Sequence, residues 1–151
     1  MEKQLQNIED AYKWSLATAQ ALRDGNLAAI DMDELIGEIE SIASGLRREL
    51  LSTLRSIIEA MLVIECTNAS EKEKSDSDRQ LVHNQGQLRL LLHSAPSLRQ
   101  ILTEAAEESY SDVKGFVTED YGVSLPEQCP IAFERIVEDP YERLLAEEKL
   151  A

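Results

Sequence analysis

The chain has 151 residues, enough for a single domain with a real core, and it is 43% hydrophobic and 29% charged, the balance of a globular rather than a disordered protein. Only 5% of residues are aromatic, and six glycines and four prolines leave long uninterrupted segments, which favours helices over many short strands. The formal net charge is −14, with 13 acidic against 4 basic residues between positions 104 and 149; such a surface repels phosphate backbones and anionic lipid heads, so the expected partners exclude nucleic acid and membranes and leave basic protein surfaces and cations.

The first helix is expected from Ile8, or from about residue 10, to Arg23. Tyr12, Leu16, Ala19 and Leu22 recur at helical spacing, and Asp24-Gly25-Asn26 supplies a stop in which Gly25 adopts positive φ. A second helix is predicted over 31–65. Asp31 caps it, with Glu34 placed three residues on to reach back. Leu35, Ile39, Ile42, Leu46, Leu50, Leu54, Ile57, Met61 and Ile64 then step by three or four, the seam of a bundle spine, with Gly45 permitting close packing or a bend. Residues 66–77, CTNASEKEKSDS, read as an exposed loop. Ser77 and Gln80 form a second capping signal, which starts a third helix over 77–93. A fourth is predicted over 97–121, entered through Pro96 and ended by Gly122. Leu98, Ile101, Leu102, Ala105, Val113, Phe116 and Val117 form its buried side. Residues 122–151 form a C-terminal extension: an extended SLPEQCP, a short amphipathic IAFERIV, and a last helix capped at Asp139-Pro140.

This order of signals predicts an all-α protein: a four-helix up-and-down bundle in one domain, 1–151, with a C-terminal helical extension packing across it. No run of about 18 apolar residues exists to span a membrane. The start, MEKQLQNIEDAYKW, has no apolar signal core, and Cys66 and Cys129 lie far apart in the chain without metal-type spacing. A reduced, cytoplasmic protein is the simplest expectation.

Trp14 with Gln20 and Leu22-Arg23-x-Gly25, then DMDELIGEIESIASGLRRELLSTLRSII, SAPSLRQIL and LPEQCP together span nearly the whole chain. On these residues the sequence resembles the bacterial family catalogued as domain of unknown function 29. The resemblance implies an all-helical bundle and no assigned activity. There are departures: where the family often carries His-Leu-Leu-Lys-Trp late in the second helix, this chain has Ala60-Met61-Leu62-Val63-Ile64, and the loop that follows is mixed and polar rather than basic.

Several residue sets invite a chemical reading. Arg79-x-x-x-His83 and Arg89-x-x-x-His93 repeat one pattern. Leu81, Leu88 and Leu92 cluster within roughly 40° on a helical wheel. That stripe puts Arg79 and His83 on the solvent side and Arg89 and His93 on its flank, so the pairs are not expected to converge. A nucleotide-binding-associated helical ribonuclease also resembles a bundle with an Arg…His motif, but its spacing is longer. Glu34 and Glu38, and the patch Glu104, Glu107, Glu108 and Asp112, have spacings able to hold a hard cation; the alternative is the wet face of an amphipathic helix. No Glu-x-x-His occurs, and Glu38, at the edge of its stripe, is the best candidate for an interhelical pair with an arginine. Cys66 and Cys129 read as buried, inert thiols, and Tyr12 and Trp14 as core or helix-contact residues rather than a ligand cage. No phosphate-cradling glycine loop is present. No catalytic residue, metal or cofactor is therefore assigned.

Two functions remain. The first is a non-enzymatic interaction or regulatory protein that presents helix faces to another protein. The second is a cation-dependent or nucleic-acid-processing enzyme, which needs polar residues of the second and fourth helices to meet in a pocket. Because a third helix of about 17 residues covers only half of the second, Ile57, Ile58, Met61, Leu62 and Ile64 need other cover; the first helix and the tail can supply some of it, and a second copy in a two-fold contact, a homodimer, is expected to supply the rest.

Overall fold

The computed structural model describes residues 2–150. The protein is all-α, with no strand among the described residues. Helix α1 spans Glu2–Arg23, α2 Met32–Cys66, α3 Glu71–Ser94, α4 Leu102–Tyr121, α5 Phe133–Ile136 and α6 Pro140–Leu150; 3₁₀ turns occupy Leu27–Ala29 and Pro96–Ile101.

Two compact units divide the chain, residues 1–44 and 45–151, so the first turns of α2 belong to one and the rest to the other. In the first unit α1 ends as its sequence requires. Gly25 sits at φ 68°, its N–H donates to the Leu22 carbonyl, and the Asn26 N–H donates to the Ala21 carbonyl at 2.9 Å, a Schellman closure. The Asp31 carboxylate then accepts from the Glu34 N–H at 3.1 Å and starts α2.

The second unit contains the core. Leu50, Leu54, Ile57, Ile58 and Leu62 of α2 are fully buried among Leu81, Leu88 and Leu92 of α3, Leu98 of the 3₁₀ turn, and Leu102, Ala105, Tyr110, Val113 and Val117 of α4. The tail closes it: Ile131 and Ile136 join the same cluster, and the Tyr110 hydroxyl donates to the Pro126 carbonyl at 2.6 Å, tying the extended segment down. Gln85 is buried on the α3 stripe because its amide reaches the Arg135 carbonyl of that tail at 3.0 Å. Asp139 caps α6 through the Tyr141 N–H at 2.9 Å.

Three expectations are corrected. Residues 66–77 are not one loop: α3 begins at Glu71, capped by Ser70, whose side chain accepts from the Glu73 N–H while the Glu73 carboxylate accepts from the Ser70 N–H. Glu and Lys are good helix formers, and the acids of the first turn suit the positive end of the helix dipole, so polarity there signalled a wet helix. Ser77 and Gln80 lie inside that helix. Second, α3 has 24 residues rather than about 17 and, with α4 and the tail, buries Ile57, Ile58, Met61 and Leu62 within one chain; Ile64 is half-buried against the same core. The surface assigned to a two-fold contact is therefore interior. Third, Phe116 is exposed, because the buried stripe of α4 passes through Val113 and Val117 instead.

Candidate functional site

The apolar seam of α2 has two fates. From Leu50 onward it is core. Before that, Met32, Ile36, Ile39 and Ile42 stand in water, the last two 59% and 65% exposed. On α1, Tyr12, Leu16 and Leu22 are exposed as well, Tyr12 at 80%. Not one residue of 10–44 is fully buried. Exposed apolar side chains recurring along one helix face are of the kind that marks an interaction site on a monomer.

A cavity of about 360 Å³ opens in this same unit, lined by Ala11, Tyr12, Trp14 and Ser15 of α1 and by Glu34 and Glu38 of α2. Tyr12 and Trp14 are thus helix residues beside carboxylates rather than core. The Ser15 hydroxyl donates back to the Tyr12 carbonyl at 2.9 Å and is turned away from ligand chemistry. The arginine partner expected for Glu38 is not found among the described residues.

The acidic patch of α4 is partly neutralised instead. Arg47 holds Glu108 at 2.7 Å and Arg55 holds Asp112 at 2.8 Å, both across to α2. Polar residues of the second and fourth helices do meet, but as ion pairs at the surface. Among the described residues no group of three or more His, Cys, Asp and Glu side chains is placed to hold a metal ion.

The repeated Arg-x-x-x-His does not gather into one site, although His83 and Arg89 line a common opening with Tyr141. Arg79 and His83 are exposed, and Arg79 faces Asp76 at 3.7 Å. Arg89 and His93 line a different groove of about 560 Å³ together with Arg99, Pro96 and Asp139. Arg89 is held there by Asp139 at 2.8 Å and lies 5.2 Å from the centre of the Tyr141 ring. Arg99 was not singled out from the sequence; it reaches the groove because the turn at Pro96–Ile101 folds back beside α3.

The cysteines are both free and half-buried against the core. Burial, aided by Glu65, pushes the Cys66 thiol up, and burial pushes Cys129 up. A raised thiol is a poor nucleophile at neutral pH, which fits packing rather than catalysis. Beside them Arg135 grips Glu65 with both terminal nitrogens, one at 2.9 Å, and fastens α5 to the end of α2.

No helix among the described residues is long and apolar enough to cross a membrane. No curated protein and no solved structure matches the chain. The sequence model of one family, described as "Domain of unknown function DUF29", matches residues 8–142. That match takes in most of α1, the long spine α2, the capped α3, α4 and the tail as far as the start of α6, so the chain belongs to the domain of unknown function 29 family.

Proposed function

We propose that the chain is a non-enzymatic protein-interaction or regulatory module, working through the helix face that its first unit leaves uncovered. One observation carries the reading: the stripe through Ile36, Ile39 and Ile42 is the same seam that is buried from Leu50 onward, yet it is exposed. Each such side chain gains about 1.5–3 kcal/mol on full burial, which a partner's surface would supply. The arginine-paired carboxylates of α4 and the raised thiols favour this over an enzymatic role. The free thiols suit a reducing compartment, and we place the protein in the cytoplasm.

Photo-crosslinking tests the reading. With a benzophenone amino acid at Ile42, the chain should form a discrete heavier adduct in cells that produce it naturally, and the same group at the exposed His83 should not. Equal labelling from both positions, or none from Ile42, would overturn the interaction role.

A further inference from the structure

The uncovered stripe of α2 is bounded by acid on both sides. With Ile39 at zero and about 100° per residue, Ile42, Leu35, Met32 and Ile36 fall within roughly 60° of it. Glu38 then lies at about −100°, Glu40 at about +100° and Asp33 at about +120°. No basic residue occurs on α2 before Arg47, and residues 10–44 carry seven acidic side chains against two basic ones.

In paired helices the residues flanking an apolar seam choose the partner: opposite charges attract and like charges reject. A second copy of this chain would bring acid against acid along both edges. A helix with basic flanks would meet complementary charge along its length. The cavity of the first unit adds a separate reason. Tyr12 and Trp14 of α1 and Glu38 of α2 are among the residues that line one opening of about 360 Å³. Aromatic residues near an acidic one suit an ammonium or guanidinium group. Glu38 borders the stripe as well, so it is common to the lining of the cavity and the edge of the apolar seam.

Resting on the interaction reading above, we infer that the face formed by Ile36, Ile39 and Ile42 binds an amphipathic helix of another protein with lysine or arginine flanking its apolar seam, and that one of those cationic side chains enters the opening formed by Tyr12, Trp14 and Glu38.

Trp14, the sole tryptophan, reports on the site directly. The full chain is titrated at physiological salt with three synthetic helical peptides that share one leucine stripe. They differ only in flanking residues: lysine, glutamine or glutamate. The lysine peptide should shift Trp14 emission saturably and bind about tenfold or more tighter than the glutamine peptide, with the glutamate peptide weakest. The double variant Ile39→Asp/Ile42→Asp, at two exposed positions, should keep its circular dichroism and lose about tenfold or more of lysine-peptide binding. Glu38→Gln should weaken the lysine peptide alone. Equal binding of the lysine and glutamine peptides overturns the basic partner while leaving a docking face, and so leaves the interaction reading intact. Undiminished lysine-peptide binding to the double variant places it on the general acidic surface and overturns the site. Self-association of the free chain that this variant abolishes makes a second copy the occupant and also overturns the inference. Binding of none of the peptides overturns it too, and the Ile42 crosslink then decides the broader reading independently.

Discussion

Ile39 and Leu50 lie on one stripe of α2, about 20° apart around its axis, yet Ile39 is 59% exposed and Leu50 is fully buried. The two should therefore answer differently to the same change. Leu50→Ala is expected to cost about 2–5 kcal/mol, the range for emptying a packed site. Ile39→Ala should cost no more than about 0.5 kcal/mol, as for a surface substitution. Urea denaturation followed by circular dichroism measures both; similar losses would mean that the Ile39 turn is covered within the single chain.

Met61 is 3% exposed in the core beneath α3, α4 and the tail. Met61→Glu should not release a monomer from a dimer. It should destabilise the single chain by about 3 kcal/mol or more, since the new carboxylate has no partner there. A variant that melts like wild type while its mass by light scattering falls by half would restore the two-fold contact at this place.

His83 and Gln85 are two residues apart on opposite sides of α3. His83 faces solvent, so His83→Ala should change stability by no more than about 0.5 kcal/mol. Gln85 is 2% exposed and serves the Arg135 carbonyl of the tail; Gln85→Ala strands that acceptor and should cost about 1–3 kcal/mol. Reversal of this order in thermal melts would show that α3 is rotated.

The α3 cap should give stability a pH dependence. The Glu73 carboxylate accepts from the Ser70 hydroxyl at 2.7 Å and from its N–H at 2.8 Å, and these bonds hold its carboxyl below the usual range. A group depressed on folding stabilises above its unfolded pKa, and the contribution disappears as pH falls through the folded value. Glu73→Gln should thus lower the urea midpoint most at neutral pH, and the gap to wild type should close in acid. A gap that widens on acidification would contradict the cap.

With a net charge of −14, the chain should show no useful affinity for duplex DNA or RNA at physiological salt. Fluorescence anisotropy tests this, and sub-micromolar binding would defeat the electrostatic argument.

Features that depend on neighbours along the chain are legible in the amino-acid sequence. The ends of α1 and α2 followed from Gly25 and Asp31, the end of α4 from Gly122 and the start of α6 from Asp139, because caps and left-handed turns are local geometry. The periodicity of α2 picked out Leu50, Leu54, Ile57 and Met61, which are buried, along with Ile39 and Ile42, which are not, and that of α3 put His83 in water. The Ser70–Glu73 box was also legible, but Ser77 and Gln80 matched the same pattern, and a polar helix of Glu and Lys looks like a loop when hydrophobicity is the guide.

Which part of the α2 stripe is core depends on long-range packing. Periodicity states that Ile39 and Ile57 share a face; it contains nothing about which other elements reach that face. Ile57 shares its core cluster with residues far along the chain: Leu88, Val113, and Ile131 and Ile136 of the tail. The meeting of Tyr12 and Trp14 with Glu38, and of Arg99 with Arg89 and His93, is of the same kind. Burial is a property of pairs of segments distant in sequence, and the free energy that selects among such pairings is the summed removal of apolar area from water, which no single helix expresses.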